Sequence, residues 1–497
     1  METKFSDTEY NALIERLFVR FPSYQTVGGV AYHPGLEAMR EFDSRLGFPH
    51  AKFRTIHVAG TNGKGSVCNM LASSLSAMGY RTALYTSPHL LDFRERARVI
   101  ESAGGVAGAG AGGSCEEASG EGSGATTVRL IPREDVWEFC QKWWPTFDEL
   151  GLSFFEITTS MAFWWFAKAG VDFAVIETGL GGRLDSTNII RPSLSVITNI
   201  GLDHCNILGN TLPEIAGEKA GIIKSGVPAV VGESSPETAP VFRAKAAEVG
   251  SPLFFADRDF WWADEAGESG MSLGISSGDA ESLLSGMDLQ GCYQRKNLRT
   301  ALAALSVLRK YGIAPKGAAS NGRQDADGET APVSGGATEL EGDALSPAVF
   351  DALKHTAKRA GFHGRWEKIS DKPLTIIDIG HNEHGLKYNF SQLERMMREE
   401  GYQLIMVYGS VADKDYGAVV RMIPRGAKVI FTNAKGSRAL PAEKAREAFS
   451  GPAEDALVCP DVAEAVAMAR KLSRELARPL IYIGGSTYVV SEAIRAK

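Results

Sequence analysis

The run Gly60-Thr61-Asn62-Gly63-Lys64-Gly65-Ser66 has the residue types of a phosphate-binding loop. Glycines let backbone N–H groups approach phosphate oxygens closely, and a following helix N-terminus adds positive potential. Lys64 would neutralise charge on the β- and γ-phosphates. Ser66 or Thr61 could support the phosphate or its Mg²⁺. The spacing differs from the common pattern, which has Gly five residues before the Gly-Lys pair and Ser or Thr directly after Lys. Here Val58 and Gly65 stand at those positions.

Three further polar stretches each follow an apolar run. They are Thr86–His89, Glu177–Asn188 and Gly201–His204. Ligands of parallel-sheet proteins sit beyond the carboxyl ends of the strands, so these stretches are expected to converge on the nucleotide phosphates. Glu177 and His204 are suitable ligands for Mg²⁺, although histidine is less usual for so hard an ion. Glu218–Lys224 reads as a helix carrying two lysines, a pattern most often found on a solvated face.

The elements that would position these groups alternate. Strands are predicted at Thr55–Val58, Thr82–Tyr85, Phe173–Ile176, Leu194–Asn199 and Ala229–Val231, with helices at about Gly65–Met78 and Ser160–Ala169. A second series predicts strands at Leu374–Ile379, Tyr402–Tyr408, Lys428–Thr432, Ala456–Val458 and Leu480–Gly484. Its helices are expected at Gly385–Glu399, Ala442–Phe449 and Val462–Leu476. Strand–loop–helix alternation implies mostly parallel sheets covered by helices, hence an α/β protein. The boundary between the two series falls near 358–362. Residues 101–126 and 316–345 are rich in Gly, Ala and Ser and cannot bury enough apolar surface to offset their ordering entropy, so they read as surface insertions. The first would enlarge a hairpin between strands Arg98–Ile100 and Thr127–Leu130.

Composition narrows the class. The chain has 497 residues, of which 44% are hydrophobic and 23% charged, enough for more than one core. A net charge of −7 argues against nucleic acid as a partner. The six cysteines form no Cys-x-x-Cys pair and match no zinc spacing, which suggests reduced thiols and a cytoplasmic location. No signal peptide is visible. The apolar stretch around Ile157–Ile176 is broken by Lys168 and Asp172, so no membrane span is expected.

These residues together resemble the folylpolyglutamate synthase/dihydrofolate synthase family of the Mur ligase superfamily. The matching text is His57–Val67 (HVAGTNGKGSV), Thr86–Leu90 (TSPHL), Glu177–Asn188 (ETGLGGRLDSTN), Ile197–His204 (ITNIGLDH) and Glu218–Lys224 (EKAGIIK). Phe362–Glu367 (FHGRWE), Asp378–Asn382 (DIGHN) and Val411–Asp415 (VADKD) extend it. The resemblance implies a large P-loop-type ATP-binding domain over 1–358 and a smaller Rossmann-like C-terminal domain over 361–497, with the active site between them. It implies ATP bound by the phosphate loop with Asn297, Arg365 and Asp378, and Mg²⁺ held by Ser87, Glu177 and His204. It also implies a carbamylated Lys219 beside a second Mg²⁺, and His381 near the reacting carboxylate, with Lys64, Lys219, His381 and Asp378 as catalytic residues. The expected activity adds L-glutamate to dihydropteroate or to a folate glutamyl tail, through an acyl phosphate, in a monomer. Two departures stand out. Tyr293-Gln294 precedes Asn297 where the family often has His-Gln, and Glu383 follows His-Asn where the family often has Pro. The alternatives are a Mur-type ligase acting on a cell-wall precursor, which the Thr-Ser-Pro-His and Gly-Leu-Gly-Gly-Arg-Leu-Asp blocks oppose, and a nucleotide-binding regulator without turnover.

Overall fold

A computed structural model gives the fold and describes residues 5–21, 35–102, 126–265, 270–313, 315–316, 345–412, 416–436, 438–452 and 455–496. Two large sheets organise the chain. The first contains β1 (Arg54–Ala59), β2 (Thr82–Tyr85), β3 (Ala97–Ser102), β4 (Thr126–Leu130), β5 (Phe173–Glu177), β6 (Leu194–Ile197), β7 (Ala229–Val231) and β8 (Leu253–Phe255). Their order across the sheet is β4-β3-β2-β5-β1-β6-β7-β8. All pairings from β2 to β8 are parallel, and β3 joins β2 and β4 antiparallel. A two-stranded ribbon of β9 (Phe260–Trp261) and β10 (Met271–Ser272) lies beside it in sequence.

The second sheet contains β11 (Glu367–Asp371), β12 (Leu374–Asp378), β13 (Gln403–Tyr408), β14 (Lys428–Phe431), β15 (Ala456–Val458) and β16 (Pro479–Gly484). Its order is β11-β12-β16-β13-β14-β15, parallel except for the antiparallel β11–β12 pair. The predicted α/β architecture is therefore present in both halves.

Both faces of the first sheet are covered. The helices Lys64–Ala77, Gln294–Lys310 and Pro347–Lys354 pack on one face with Ile56, Val58 and Val175. The helices Asp7–Arg20, Glu37–Arg45, Arg133–Leu150 and Phe154–Ala169 pack on the other with Ala83, Ala174 and Ile176. Two-sided burial explains why β1, β2, β5 and β6 read as continuous apolar runs rather than alternating ones. The second sheet is likewise buried on both faces.

Several predicted bounds shift. The helix expected from Ser160 begins at Phe154, where Ser153 and Glu156 form a reciprocal capping box. The helix expected over Glu218–Lys224 spans Leu212–Ala220 instead, so Gly221–Lys224 lie in the turn beyond it. Thr211 caps that helix in a box with Glu214. At the stop, the Glu218 carbonyl accepts from Arg183 N–H at 2.8 Å. A β-carbon on Gly221 would lie 2.4 Å from Arg183 Cα, so the glycine-rich loop after β5 packs backbone to backbone on the helix end. The predicted hairpin is formed by β3 and β4 in the register Arg98↔Leu130, while residues 103–125 and 317–344 of the two insertions lie outside the described residues.

Candidate active site

The chemistry-bearing segments leave the carboxyl ends of β1, β2, β5 and β6, the central strands of the first sheet. Chain direction reverses across the sheet here: β1 leads outward to β2 on one side, while β5 leads to β6 on the other. That is the switch point at which open parallel sheets bind ligands.

The phosphate loop follows β1. Gly63 has φ +82° and stands at the N-cap of the helix Lys64–Ala77. A β-carbon there would lie 2.3 Å from Asn297 Oδ1, so this glycine is required by both conformation and close approach. Lys64 Nζ is folded back, donating to the carbonyls of Gly60 at 3.1 Å and Thr61 at 3.4 Å. Thr61 Oγ1 donates to the Gly201 carbonyl at 3.1 Å and accepts from the Gly201 N–H at 3.0 Å. Asn62 N–H donates to Asn199 Oδ1 at 2.9 Å. The helix Gln294–Lys310 completes this wall, with Asn297 Nδ2 donating to Gln294 Oε1 at 2.8 Å and Gln294 Nε2 to Ser66 Oγ at 3.3 Å.

Glu177 ends β5 and is 4% exposed. Burial raises its pKa, opposed by Lys64, by the Ser87 N–H, and by Arg365 and Arg98. The Ser87 N–H donates to its Oε2 at 3.1 Å, so two predicted metal ligands are adjacent. His204 follows β6 with φ +51°, a sparsely populated conformation for a non-glycine residue. Its N–H donates to Asp203 Oδ1 at 2.8 Å. Among the described residues, no three His, Cys, Asp or Glu side chains already form a metal cluster. One carboxylate, one hydroxyl and one imidazole fit a hard divalent cation that takes its remaining ligands from phosphate oxygens and water.

Lys219 differs from its expected solvated position. It is 4% exposed, and its Nζ donates to the Gly60 carbonyl at 3.0 Å. Burial, with Lys64 nearby, pushes its pKa down to about 7, against the opposing charges of Asp203 and Asp185. Asp185 is committed locally. It accepts from Thr187 N–H at 3.1 Å, Thr187 Oγ1 at 2.5 Å and Leu180 N–H at 2.8 Å, which fixes the glycine-rich loop.

The second sheet supplies the opposite wall. Asp378 ends β12 and is buried. Its Oδ2 accepts from Tyr293 OH at 2.7 Å and Trp366 N–H at 2.8 Å, and its Oδ1 from Gly380 N–H at 2.7 Å and Asn389 Nδ2 at 2.8 Å. The bond from Tyr293 joins the halves of the chain, and the other three hold Asp378 within the second half. His381 Nδ1 contacts the Ile379 carbonyl at 3.2 Å, and its Nε2 lies 3.9 Å from Asp203 Oδ2. Arg365 reaches the phosphate-loop helix, because a β-carbon at Gly65 would lie 3.6 Å from its Nη2. Of the Val411–Asp415 block, residues 413–415 lie outside the described residues.

Two cavities meet between these walls. One, of about 150 Å³, is lined by the phosphate loop, Glu177, Asn297, Arg365, Asp378 and Tyr388. The other, of about 260 Å³, is walled by Phe154, Phe155, Leu180, Leu184 and Tyr488, with Arg96, Asp185 and Lys219 at its polar edge. Lys64, Ser87 and His381 line both. A polar, cation-lined chamber thus opens onto a mostly apolar one, and the residues common to both, which also include Thr61, Pro88 and Thr487, stand at the opening. Every predicted site residue falls in or beside this pair of cavities.

Sequence reasoning expected the Gly201–His204 stretch at the site but gave Asp203 no role, and it missed Asn382, Tyr293 and Gln294 as site members, and the aromatic pair Phe154-Phe155. Asn382 had a signal, since it follows His381 directly and precedes a helix as a good cap would. The two phenylalanines had none, because their types fit a core helix equally well.

Comparison with known proteins places the chain in a family. Residues 364–486 match the Mur ligase, glutamate ligase domain. The chain is similar to the dihydrofolate synthase/folylpolyglutamate synthase of Bacillus subtilis, 32% identical over 401 residues and covering 80% of each chain. It is also similar to the folylpolyglutamate synthase of Lacticaseibacillus casei, 31% identical over 388 residues and covering 78% of each. A solved bifunctional folylpolyglutamate synthase/dihydrofolate synthase of Yersinia pestis, in complex with AMPPNP and a Mn ion, superposes with a TM-score of 0.70 at 25% identity, covering 98% of this chain and 97% of that one. The chain is therefore a member of the folylpolyglutamate synthase/dihydrofolate synthase family of ATP-dependent ligases.

Proposed function

We propose that this protein joins L-glutamate to the carboxylate of dihydropteroate, of a folate glutamyl tail, or of both, using ATP and releasing ADP and phosphate. The observation that carries this reading is the junction of the two cavities at Lys64, Ser87 and His381. It supports a nucleotide in the polar chamber and a flat aromatic acceptor in the apolar one, with the acceptor's carboxylate at the opening.

A carboxylate is a poor acyl donor. Attack of its oxygen on the γ-phosphorus gives an acyl phosphate and ADP. Attack by the glutamate amine on the acyl carbon then gives a tetrahedral species that expels phosphate. Positioning and charge neutralisation carry most of such a reaction. Lys64 swings from the Gly60 and Thr61 carbonyls to the phosphates. His381 lies where the amine must approach, with Asp203 beside its Nε2. Asn297 and Arg365 hold the nucleotide, and Asp378 fixes the backbone of Trp366 and Gly380 around it.

A divalent cation, which we take to be Mg²⁺, would be held by Ser87, Glu177 and His204, while Lys219, once carbamylated, would help bind a second one. Bound there, it neutralises charge on the transferring phosphoryl group. We place the division between the two domains near residues 358–362 and take the enzyme to act as a monomer in the cytoplasm. No helix among the described residues is long and apolar enough to cross a membrane. Closure of the two halves would exclude water from the acyl phosphate.

The test is incubation with Mg-ATP, labelled glutamate and either dihydropteroate or tetrahydrofolate, with product chain length measured. Labelled product and stoichiometric ADP are expected from at least one acceptor. ATP binding without acceptor-dependent ADP release would overturn the reading.

A further inference from the structure

Arg98, on β3, lines neither cavity, yet it touches both the loop that carries Ser87 and the connection to the second sheet. It is 2% exposed, and its guanidinium donates to two carbonyls and a hydroxyl. Nη1 donates to the Ala360 carbonyl at 2.5 Å and the Gly361 carbonyl at 2.9 Å. Nη2 donates to Thr86 Oγ1 at 2.9 Å. Nε is buried without a hydrogen-bond partner. A buried guanidinium with an unsatisfied N–H is costly to maintain, so its remaining contacts must be of use.

Those contacts are at informative places. Ala360 ends the short helix Thr356–Ala360, and Gly361 caps it with φ +60°. Their carbonyls are ones that the helix leaves without partners, and a cation is a favourable occupant there. This is the last helix before the second sheet. Immediately after it, Phe362 and Arg365 approach the phosphate-loop helix: a β-carbon at Gly65 would lie 3.2 Å from Phe362 Cζ and 3.6 Å from Arg365 Nη2. At the other end, Thr86 adjoins Ser87, whose N–H binds Glu177.

We propose that Arg98 is a positioning residue that pins the connection between the two sheets to the Ser87 loop, so that Phe362 and Arg365 meet the phosphate loop in a single register. Arg98 touches no substrate. It fixes the stationary side of the hinge, and the second half closes about that point. This role rests on the ligase reading for its kinetic consequence, but the tether itself is a property of the fold.

The experiment compares Arg98→Met, Arg98→Lys and Thr86→Val with the wild type, by steady-state kinetics and by hydrogen exchange of the amides at 360–366 with and without AMPPNP. A misplaced nucleotide clamp costs roughly 10- to 100-fold in turnover. Arg98→Met is expected to lose that much in kcat with little change in KM for the acceptor. Arg98→Lys should recover part of the loss, and Thr86→Val should show a smaller loss at unchanged melting temperature. In each case exchange at 360–366 is expected to quicken and to lose its protection by AMPPNP. Thr86→Val, which keeps the shape of the side chain, decides the matter if Arg98→Met does not fold. Exchange and kcat both within about twofold of wild type in Thr86→Val and Arg98→Lys would overturn the proposal. An inactive wild type would instead defeat the ligase reading and leave the exchange measurement to judge Arg98.

Discussion

Asn382 Nδ2 donates to Asn62 Oδ1 at 3.0 Å and to Asp203 Oδ2 at 2.9 Å, so one side chain from the second half of the protein holds two loops of the first. Its own Oδ1 caps the helix Glu383–Glu400 by accepting from Gly385 N–H at 2.8 Å. His384, on the first turn of that helix, places Nδ1 3.0 Å from Asn62 Nδ2. The phosphate loop is thus held from across the active site through Asn62, a residue whose own backbone N–H is bound by Asn199.

Replacing Asn382 with alanine removes two bonds to loops of the first sheet and a helix cap. At ~1 kcal/mol for each bond and ~1 kcal/mol for the cap, about 3 kcal/mol is at stake. Asn382→Ala should therefore weaken AMPPNP binding at least tenfold in calorimetry. Asn382→Asp keeps the cap but sets a carboxylate against Asp203, and should bind no better. Unchanged affinity in both variants would show that the phosphate loop is organised without its second-half partners.

The Lys64 ammonium is held by hydrogen bonds to main-chain oxygens. It rests on two carbonyls of its own loop. Those bonds are readily exchanged for phosphate oxygens, which places its contribution in the transition state rather than in folding. Lys64→Met should reduce kcat by ~10²–10³, the cost of a single lost electrostatic donor, with a melting temperature close to wild type. Near-normal turnover would remove Lys64 from the mechanism.

How far the sequence reveals this site depends on where each residue's partner lies. The phosphate loop, Glu177 and the glycine-rich loop are legible because their residue types are unusual at strand ends and their geometry is local. Asp203, Tyr293 and Asn382 are not, since each acquires its role from a residue far along the chain: Tyr293 meets Asp378 85 positions away, and Asn382 meets Asn62 320 away. Lys219 illustrates the limit. Helical periodicity suggests a solvated face, and only the packing of Gly182 and Gly221 against neighbouring backbone puts that helix end inside. The strands of both sheets are legible for the opposite reason, because burial on both faces writes itself into continuous apolar runs.

Two buried histidines should make the fold sensitive to mild acid. His57 is enclosed beneath the site, with Nε2 2.8 Å from Thr187 Oγ1, and burial, with Lys224 nearby, pushes its pKa down to about 3. His89 accepts from Arg96 Nε at 3.0 Å and is pushed down to about 3 by burial and by Arg96. In the unfolded chain both take up protons near 6.5. Between about pH 6.5 and 3 the unfolded state binds more protons, so stability falls with pH, by up to ~1.4 kcal/mol per unit for each histidine. Burial raises Glu177 and Asp185, which offsets part of this once pH nears the ordinary carboxylate range. The urea midpoint should be lower at about pH 5.5 than at about pH 7.5, and His57→Gln should flatten that dependence. A midpoint constant across the interval would mean that the histidines titrate without unfolding.

Lys219 ties pH to function rather than to stability. Carbamate formation requires a neutral amine: Nζ attacks the carbon of CO₂, the N–C bond forms, and a proton leaves. An ordinary lysine at neutral pH offers almost no neutral amine, whereas Lys219, at about 7, is near half neutral. Its nitrogen must also leave the Gly60 carbonyl, 3.0 Å away, a bond that the protonated form holds more strongly. Both effects favour modification as pH rises through 7. At fixed dissolved CO₂, native mass spectrometry should find a larger fraction carrying one added CO₂ at about pH 8 than at about pH 6. Lys219→Ala should lose both that adduct and ligation, while Lys219→Arg, cationic at every pH used, should lose them equally. Full turnover in CO₂-depleted buffer, with no adduct seen, would leave Lys219 as a buried donor that shapes the phosphate loop through Gly60, and the second-metal role would fall with the carbamate.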